Sequence, residues 1–175
     1  LATETNSFPI LTLKKELRNI IKPQNDVFVE FDFNAAELRV LLGLLGQNQP
    51  EEDIHAWINK NIFGNKLTRE ETKKKTFSWL YNPKAKNKKL NQHFDREKLY
   101  KDYYTDGSVC TPFHRTIPVE ADKAVNYLVQ STSSDMLLSS AMAVQKRLKN
   151  KKSFVCFCIH DSIVVDVSYE DKELV

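Results

Sequence analysis

Two short apolar runs near the end of the chain constrain the fold most strongly. Residues 153–159 and 163–167 are rich in Val, Ile, Phe and Cys, and only His160-Asp161-Ser162 separates them. Two such runs with so few polar residues between them are typical of an antiparallel β-hairpin. The pattern therefore predicts a hairpin that carries the carboxylate of Asp161 at its tip.

A third apolar run carries a second carboxylate. Residues 27–33 alternate in part between apolar and polar side chains, which predicts a strand with Asp32 near its end. A carboxylate at a strand end is costly unless water or a cation solvates it. If the strands are neighbours, Asp32 and Asp161 could hold divalent metal ions, and Mg²⁺ suits a site with few protein carboxylates. The alternative is that both are ordinary strand-end and turn residues.

The remaining segments have helical patterns. Helices are predicted over about 36–45, 53–62, 69–81, 96–104 and 119–149, and the Lys- and Asn-rich residues 82–93 are predicted to form an exposed turn. Thr68 and Glu71 have the spacing of a capping box at the start of the third helix. Helices mixed with an antiparallel hairpin indicate an α+β fold.

The third predicted helix carries an ordered stripe of side chains. Arg69, Lys73, Phe77 and Tyr81 follow at intervals of four residues along about 18 Å of helix. Two cations followed by two aromatic rings match a nucleoside triphosphate, since Arg and Lys bind phosphate oxygens and rings contact a base or sugar. The alternative is an amphipathic helix whose aromatic side chains face a core.

Composition and charge limit the class of protein only weakly. The net charge is +3, and the basic runs at 73–89 and 146–152 suit either a polyanion surface or a solvated face. The three cysteines lack zinc-ligand spacing and fit a reducing compartment, and Cys156 and Cys158 are expected to share one strand face. No apolar run approaches the roughly 20 residues that span a bilayer.

Five segments, in order, resemble the motifs of family A DNA polymerases, those like bacterial DNA polymerase I. They are D-F-N-A-A-E-L-R at 32–39 (motif A), D-I-H at 53–55 with F-G at 63–64, the stripe of the 69–81 helix (motif B), N-x-x-x-Q-S-T-x-x-D at 126–135, and I-H-D-S-I-V-V at 159–165 (motif C). One H-D pair would carry no weight, whereas the ordered set is specific.

The resemblance implies a polymerase palm, an antiparallel sheet with helices packed on one face, together with a shortened helical fingers subdomain. It implies palm at 1–46, fingers at 47–105 and palm again at 106–175. The short interval between motif B and Asn126 is typical of phage polymerases. Only about thirty residues precede Asp32, where the family has a thumb and often an exonuclease. We therefore expect a piece of a longer polymerase that extends primers poorly by itself.

The resemblance also implies roles, in template-directed DNA synthesis during replication. Asp32 and Asp161 would bind two catalytic Mg²⁺ ions together with the backbone carbonyl of Phe33, and Lys73 would donate a proton to pyrophosphate. Glu37 would be a steric gate against the ribose 2′-hydroxyl. The nucleotide-binding residues would be Arg69, Lys73, Phe77, Tyr81, His55 and Glu37. The residues that contact primer-template DNA would be Asn126, Gln130, His160 and Arg115.

Departures from the family pattern leave other functions open. Ser162 replaces the acid that usually follows the motif C aspartate, and Ala35 stands where the family often has Gln. A non-catalytic nucleic-acid-binding module with the palm fold is one alternative. A metal-dependent nuclease or phosphatase would explain the two aspartates but not the helix stripe. The expected partners are primer-template DNA and dNTPs, with no membrane, in the cytoplasm of a bacterial host if the protein is phage-encoded.

Overall fold

The structure, a computed structural model, describes residues 13–82 and 84–174. The strands are β1 (Val27–Asp32), β2 (Tyr104–Thr105), β3 (Ser108–Cys110), β4 (Thr116–Pro118), β5 (Phe154–Ile159) and β6 (Ser162–Val167). The α-helices are α1 (Ala36–Leu44), α2 (Ile54–Ile58), α3 (Arg69–Tyr81), α4 (Lys88–His93), α5 (Arg96–Tyr103) and α6 (Ala124–Arg147). A π-helical turn at Asn59–Phe63 continues α2, and 3-10 turns occur at Lys15–Ile20, Ala121–Lys123 and Tyr169–Asp171.

All strand pairs are antiparallel, which confirms the α+β prediction. One sheet has the order β1-β6-β5, and it contains the predicted hairpin. A second, small sheet has the order β2-β3-β4. The sequence did not predict this second sheet because strands of two or three residues are too short to show a period of two.

The described residues form two compact units. The first contains the chain up to Phe33 and from Met136 onward, and the second contains Asn34–Asp135. The expected subdomain boundaries at 46 and 105 follow sequence motifs rather than packing, and they stay a prediction. Residues 1–12 of the expected first palm segment lie outside the described residues.

The core of the first unit lies between one face of the sheet and the C-terminal half of α6. The helix contributes Leu137, Ala141 and Leu148, and the central strand β6 contributes Ile163, Val165 and Val167. A β-bulge interrupts β5 between Val155 and Phe157. Cys158 packs against this core, whereas Cys156 is the bulged residue and interacts with Asp166. The expectation that both cysteines share one face is therefore wrong, because a bulge shifts the alternation by one residue.

The second unit is helical apart from its small sheet. Its fully buried side chains include Leu38, Leu41, Leu42, Ile54, Ile58, Trp79, Phe94 and Leu99. The predicted exposed turn at 82–93 is wrong for its second half, which forms α4. The Asn87 side chain caps this helix by accepting a hydrogen bond from the Leu90 backbone N–H, and Leu90 is buried. Burial of one leucine outweighs the polar composition around it.

In the part of the chain that the structure describes, no helix combines the length and apolar character that a membrane crossing requires.

The capping box at the start of α3 is confirmed. The Thr68 hydroxyl accepts from the Glu71 backbone N–H at 3.2 Å, and the Glu71 carboxylate accepts from the Thr68 backbone N–H at 2.8 Å. These bonds satisfy two donors that the first turn of a helix otherwise leaves unpaired. The start of α3 is therefore fixed by local sequence alone.

Removing this cap should destabilise the chain measurably. We expect Thr68→Ala to lower the free energy of unfolding by about 1 kcal/mol, because the N-cap acceptor is lost. Urea unfolding followed by circular dichroism measures the change. Thr68→Ser is the matched control, since it keeps the hydroxyl, and equal stability of the Ala and Ser variants would contradict the role of the cap.

Candidate functional site

The pairing of β1 with β6 brings the two predicted aspartates together in the first unit. Asp32 lies opposite Ser162, and the Phe33 backbone N–H donates to the Asp161 carbonyl oxygen at 3.1 Å. The two carboxyl groups interact directly. Desolvation by burial raises the pKa of Asp32, and the charges of Asp161 and Glu30 and a hydrogen bond with Asp161 raise it further. Two predicted site residues 129 positions apart in sequence (161 − 32) are thus neighbours in space.

The turn that carries Asp161 has a constrained backbone. Ile159 pairs with Ser162, so His160 and Asp161 alone form the loop of the hairpin. His160 has a φ of 53°, in the left-handed region that residues other than Gly rarely adopt. The Ser162 hydroxyl lies 2.9 Å from the Ile159 carbonyl oxygen and 2.6 Å from the Glu30 carboxylate. Strand pairing and this serine together fix the turn on β1.

This pair of carboxylates fits a magnesium site. Carboxylate oxygens are the ligands that Mg²⁺ prefers, and the ion commonly uses one or two of them and fills its shell with water and phosphate oxygens. A cation would also relieve the repulsion that contributes to the raised pKa of Asp32. Among the described residues, no group of three or more His, Cys, Asp or Glu side chains could form a metal cage.

In the second unit, α3 presents the predicted stripe on its accessible side. Arg69, Lys73 and Tyr81 are exposed and Phe77 is half-buried. The opposite side of the helix is buried, with Thr72, Thr76, Trp79 and Leu80. None of the four side chains of the stripe is fully buried, so the alternative in which the stripe faces a core does not apply. The rings of Phe77 and Tyr81 stack with centroids 5.8 Å apart and planes 11° apart.

The two cations of the stripe differ in their surroundings. Arg69 pairs with Asp53 at 2.8 Å and with Glu70 at 3.3 Å. Hydrogen bonding to Arg69 lowers the pKa of Asp53, whose other oxygen caps α2 through the Ala56 backbone N–H. Lys73 is exposed and has no ion-pair partner among residues 13–82 and 84–174. A phosphate could bind Lys73 directly, whereas at Arg69 it would have to replace carboxylates.

His55, a predicted nucleotide-binding residue, is buried in the second unit. It is 3% exposed, and its ring lies 5.9 Å from the ring of Phe77. Burial lowers the pKa of His55, and this effect outweighs the nearby charge of Asp53. Its Nδ1 is buried and has no hydrogen-bond partner within the described segments. The imidazole is therefore neutral near pH 7 and offers a hydrogen bond rather than a positive charge.

A hydrogen bond joins the motif A helix to the motif B helix. The Tyr81 hydroxyl donates to the carboxylate of Glu37, in the first turn of α1. Ala35, at the N-cap of α1, has a φ of 50°. The structure thus brings the predicted steric gate against the ring stack of α3. The sequence predicted both residues but not their contact.

The predicted DNA contacts of the second unit lie on and beside α6. Asn126 and Gln130 are one turn apart on the helix; Gln130 is exposed, and the buried Oδ1 of Asn126 has no partner among the described residues. Arg115, in the turn between β3 and β4, forms an ion pair with Asp135 at 2.9 Å. The motif pattern included Asp135, but sequence reasoning assigned it no role.

The structure therefore groups the candidate residues in two sets. Asp32, Phe33, His160 and Asp161 lie in the first unit. The second unit contains the predicted nucleotide-binding and DNA-binding residues other than His160, which are Glu37, His55, Arg69, Lys73, Phe77, Tyr81, Arg115, Asn126 and Gln130. Each set is coherent in chemistry, since the first offers carboxylates and the second offers cations, aromatic rings and amides.

Comparison with known proteins supports the motif reading. No protein-family model matches the sequence. DNA polymerase I of Caldicellulosiruptor bescii is 22% identical over an alignment of 210 residues, which covers 92% of this chain and 25% of that protein. The chain thus spans about a quarter of the length of the curated relative it matches.

A solved structure matches the fold. It is the POL domain of Pol1 from M. smegmatis in complex with DNA primer-template and dNTP, with a TM-score of 0.64 and 18% identity. The match covers 86% of this chain and 35% of that chain. Over 92% of its length the chain is similar in sequence to a DNA polymerase I, and its fold matches that of a solved polymerase domain.

Proposed function

We propose that the chain is the catalytic palm and fingers of a template-directed DNA polymerase, which transfers nucleotides from dNTPs to a primer 3′-hydroxyl. The observation that carries the proposal is the pairing of β1 with β6, which sets Asp32 opposite Ser162 and bonds the Phe33 backbone N–H to the Asp161 carbonyl oxygen. Homology to DNA polymerase I supports the same class of reaction. The short interval between Tyr81 and Asn126 favours a compact polymerase of the phage type.

The first unit would hold the metal ions. Asp32, Asp161 and the backbone carbonyl of Phe33 would bind them. Bound Mg²⁺ lowers the pKa of an attacking hydroxyl and stabilises the charge on the phosphate that it attacks. The protein's own contribution is to hold the carboxylate of Asp32, at the end of β1, beside that of Asp161 on the hairpin turn, so that their repulsion favours cation binding.

The α3 helix would bind the triphosphate. Lys73 is available for a phosphate, and it would act as the proton donor to the pyrophosphate leaving group. Arg69 would exchange Asp53 and Glu70 for phosphate oxygens, with one charged acceptor replacing another. The neutral His55 would donate or accept one hydrogen bond beside them. The stacked rings of Phe77 and Tyr81 offer a surface to the sugar and base.

Glu37 would select the sugar. Its carboxylate is held by the Tyr81 hydroxyl, so it cannot rotate freely away from an incoming nucleotide. A fixed side chain at the 2′ position would exclude a ribose hydroxyl and accept deoxyribose. Arg115, Asn126, Gln130 and His160 would contact the primer-template DNA.

Primer extension by the natural full-length polypeptide that carries this chain tests the proposal. We expect template-dependent incorporation with Mg²⁺, and its loss in Asp32→Asn, because one of the two metal-binding carboxylates is removed. We expect Lys73→Ala to lower kcat by about 100-fold or more, the usual size of a general acid contribution. Lys75→Ala is the matched control on the same helix.

Three outcomes of this assay would count against the proposal. DNA binding without incorporation, unchanged in Asp32→Asn, would favour the non-catalytic module that Ser162 leaves open. Metal-dependent degradation of DNA without synthesis would favour a nuclease. Equal losses in Lys73→Ala and Lys75→Ala would remove the specific role of Lys73.

Repulsion between the two aspartates predicts a pH-dependent stability. Because the pKa of Asp32 is raised, the folded state binds more protons than the unfolded state above the ordinary value of 3.8, and stability falls as pH rises through that window. We expect Asp161→Asn to raise the melting temperature at pH 7 in EDTA, with the gain vanishing below pH 3.8. Thermal melts across this pH range measure the effect.

Magnesium provides the second arm of the same experiment. The ion should raise the melting temperature of the unsubstituted chain more than that of Asp161→Asn, because it binds the folded state. Glu173→Gln, an exposed acid of the same unit, controls for general charge effects. A lower melting temperature for Asp161→Asn in EDTA at pH 7 would contradict the repulsion.

The Glu37–Tyr81 contact predicts a graded effect on sugar selection. We expect Glu37→Ala to reduce discrimination against ribonucleotides by about tenfold or more, since the steric exclusion is lost. Tyr81→Phe should have a smaller effect, because the gate remains but its hydrogen bond is removed. The ratio of kcat/KM for a dNTP and the matching rNTP measures both. Glu51→Ala is the control, and unchanged discrimination in Glu37→Ala would remove the gate assignment.

A further inference from the structure

A closed set of contacts ties the turn between β3 and β4 to α6 within the second unit. Asp135 uses both carboxylate oxygens: Oδ1 lies 2.9 Å from Nε of Arg115, and Oδ2 accepts from the Thr111 hydroxyl at 2.9 Å. The Thr111 backbone N–H donates to the Arg115 carbonyl oxygen at 2.9 Å. Arg115 also donates through Nη2 to the Ser131 carbonyl oxygen at 2.9 Å.

These contacts fix the plane of the Arg115 guanidinium and leave one edge available. Nε and Nη2 are engaged, whereas Nη1 has no partner among the described residues. The Arg115 side chain is 46% exposed, and that of Asp135 is 11% exposed. The arrangement is therefore a cation at the surface that is held from beneath by a largely buried acid.

The held arginine lies beside another proposed DNA contact. Ser131, whose carbonyl oxygen accepts from Arg115, directly follows the exposed Gln130 on α6. The turn that carries Arg115 is itself constrained, because His114 has a φ of 61° and its backbone N–H donates to the Thr111 carbonyl oxygen. A guanidinium held in one orientation is suited to phosphate oxygens, which it binds through fixed geometry.

We propose that Asp135 is a positioning residue, which holds Arg115 as a preorganised contact to a backbone phosphate of primer-template DNA. The inference rests on the proposed function. It assigns Asp135 a role in DNA binding, although its negative charge by itself repels DNA. An acid near a DNA-binding surface repels the polyanion, so its removal should tighten binding unless the acid acts through the arginine. The sign of the effect therefore separates positioning from simple electrostatics.

Binding of a labelled primer-template to the natural full-length polypeptide, followed by fluorescence anisotropy at about 50 to 200 mM KCl, tests the inference. We expect Arg115→Ala to weaken binding and to reduce the slope of log K against log salt by about 1. We expect Asp135→Asn to weaken binding by about five- to tenfold, although it removes a negative charge. The double variant should bind no more weakly than Arg115→Ala.

Two controls separate positioning from general effects. Asp122→Asn removes an exposed acid from the turn that precedes α6, and it should leave binding unchanged or slightly tighter. Thr111→Val removes the hydroxyl bond to Asp135 but keeps the ion pair, so it should change binding by less than about twofold. Urea unfolding of every variant measures any loss of stability.

The possible failures are distinguishable. Binding by Asp135→Asn that equals or exceeds that of the unsubstituted protein, while Arg115→Ala binds weakly, would overturn the inference and leave the polymerase intact. Losses in Thr111→Val as large as those in Asp135→Asn would also overturn it, since they would mark a structural role. Absence of primer extension by the unsubstituted polypeptide would instead overturn the proposed function.

Discussion

The register between β1 and β6 brings two like charges together at one end of an apolar sheet. Pairing of Asp32 with Ser162 follows from burying the valines and isoleucines of both strands on the same face. A shift by one residue would turn those side chains outward, so hydrophobic burial enforces the register. The energy that builds the core thus also holds Asp32 against the turn of Asp161. Repulsion between them is tolerated because it is small beside the burial that fixes the strands.

The second unit solves the opposite electrostatic problem, since its cations lie close together along one helix. Carboxylates of this unit hold two arginines: Asp53 and Glu70 hold Arg69 on α3, and Asp135 holds Arg115 in the turn between β3 and β4. The two cases differ in exposure. Asp53 is 32% exposed and can release its partner to a phosphate, whereas Asp135 is 11% exposed and is suited to a permanent contact. The same ion pair can therefore serve exchange or positioning, according to burial.

Local signals in the sequence predicted most helices and strands. The elements that they did not predict depend on contacts between distant parts of the chain. The Thr68 capping box and the four-residue stripe of α3 depend on neighbours in the chain, so both were predictable. The bulge at Cys156 was not, because it arises from pairing with β6 rather than from the pattern of β5. The same holds for α4, where burial of Leu90 against distant residues overrides a composition typical of turns.

The candidate site shows the same division between residue type and partner. The motifs predicted a set of candidate side chains, but not that His55 is buried or that Tyr81 bonds to Glu37. Partners are set by packing, and packing decides the chemical state of each group. Burial lowers the pKa of His55, so its imidazole is suited to orient a phosphate oxygen through a hydrogen bond. Within the second unit, the positive charge that the proposed triphosphate requires would then come from Arg69 and Lys73 of α3.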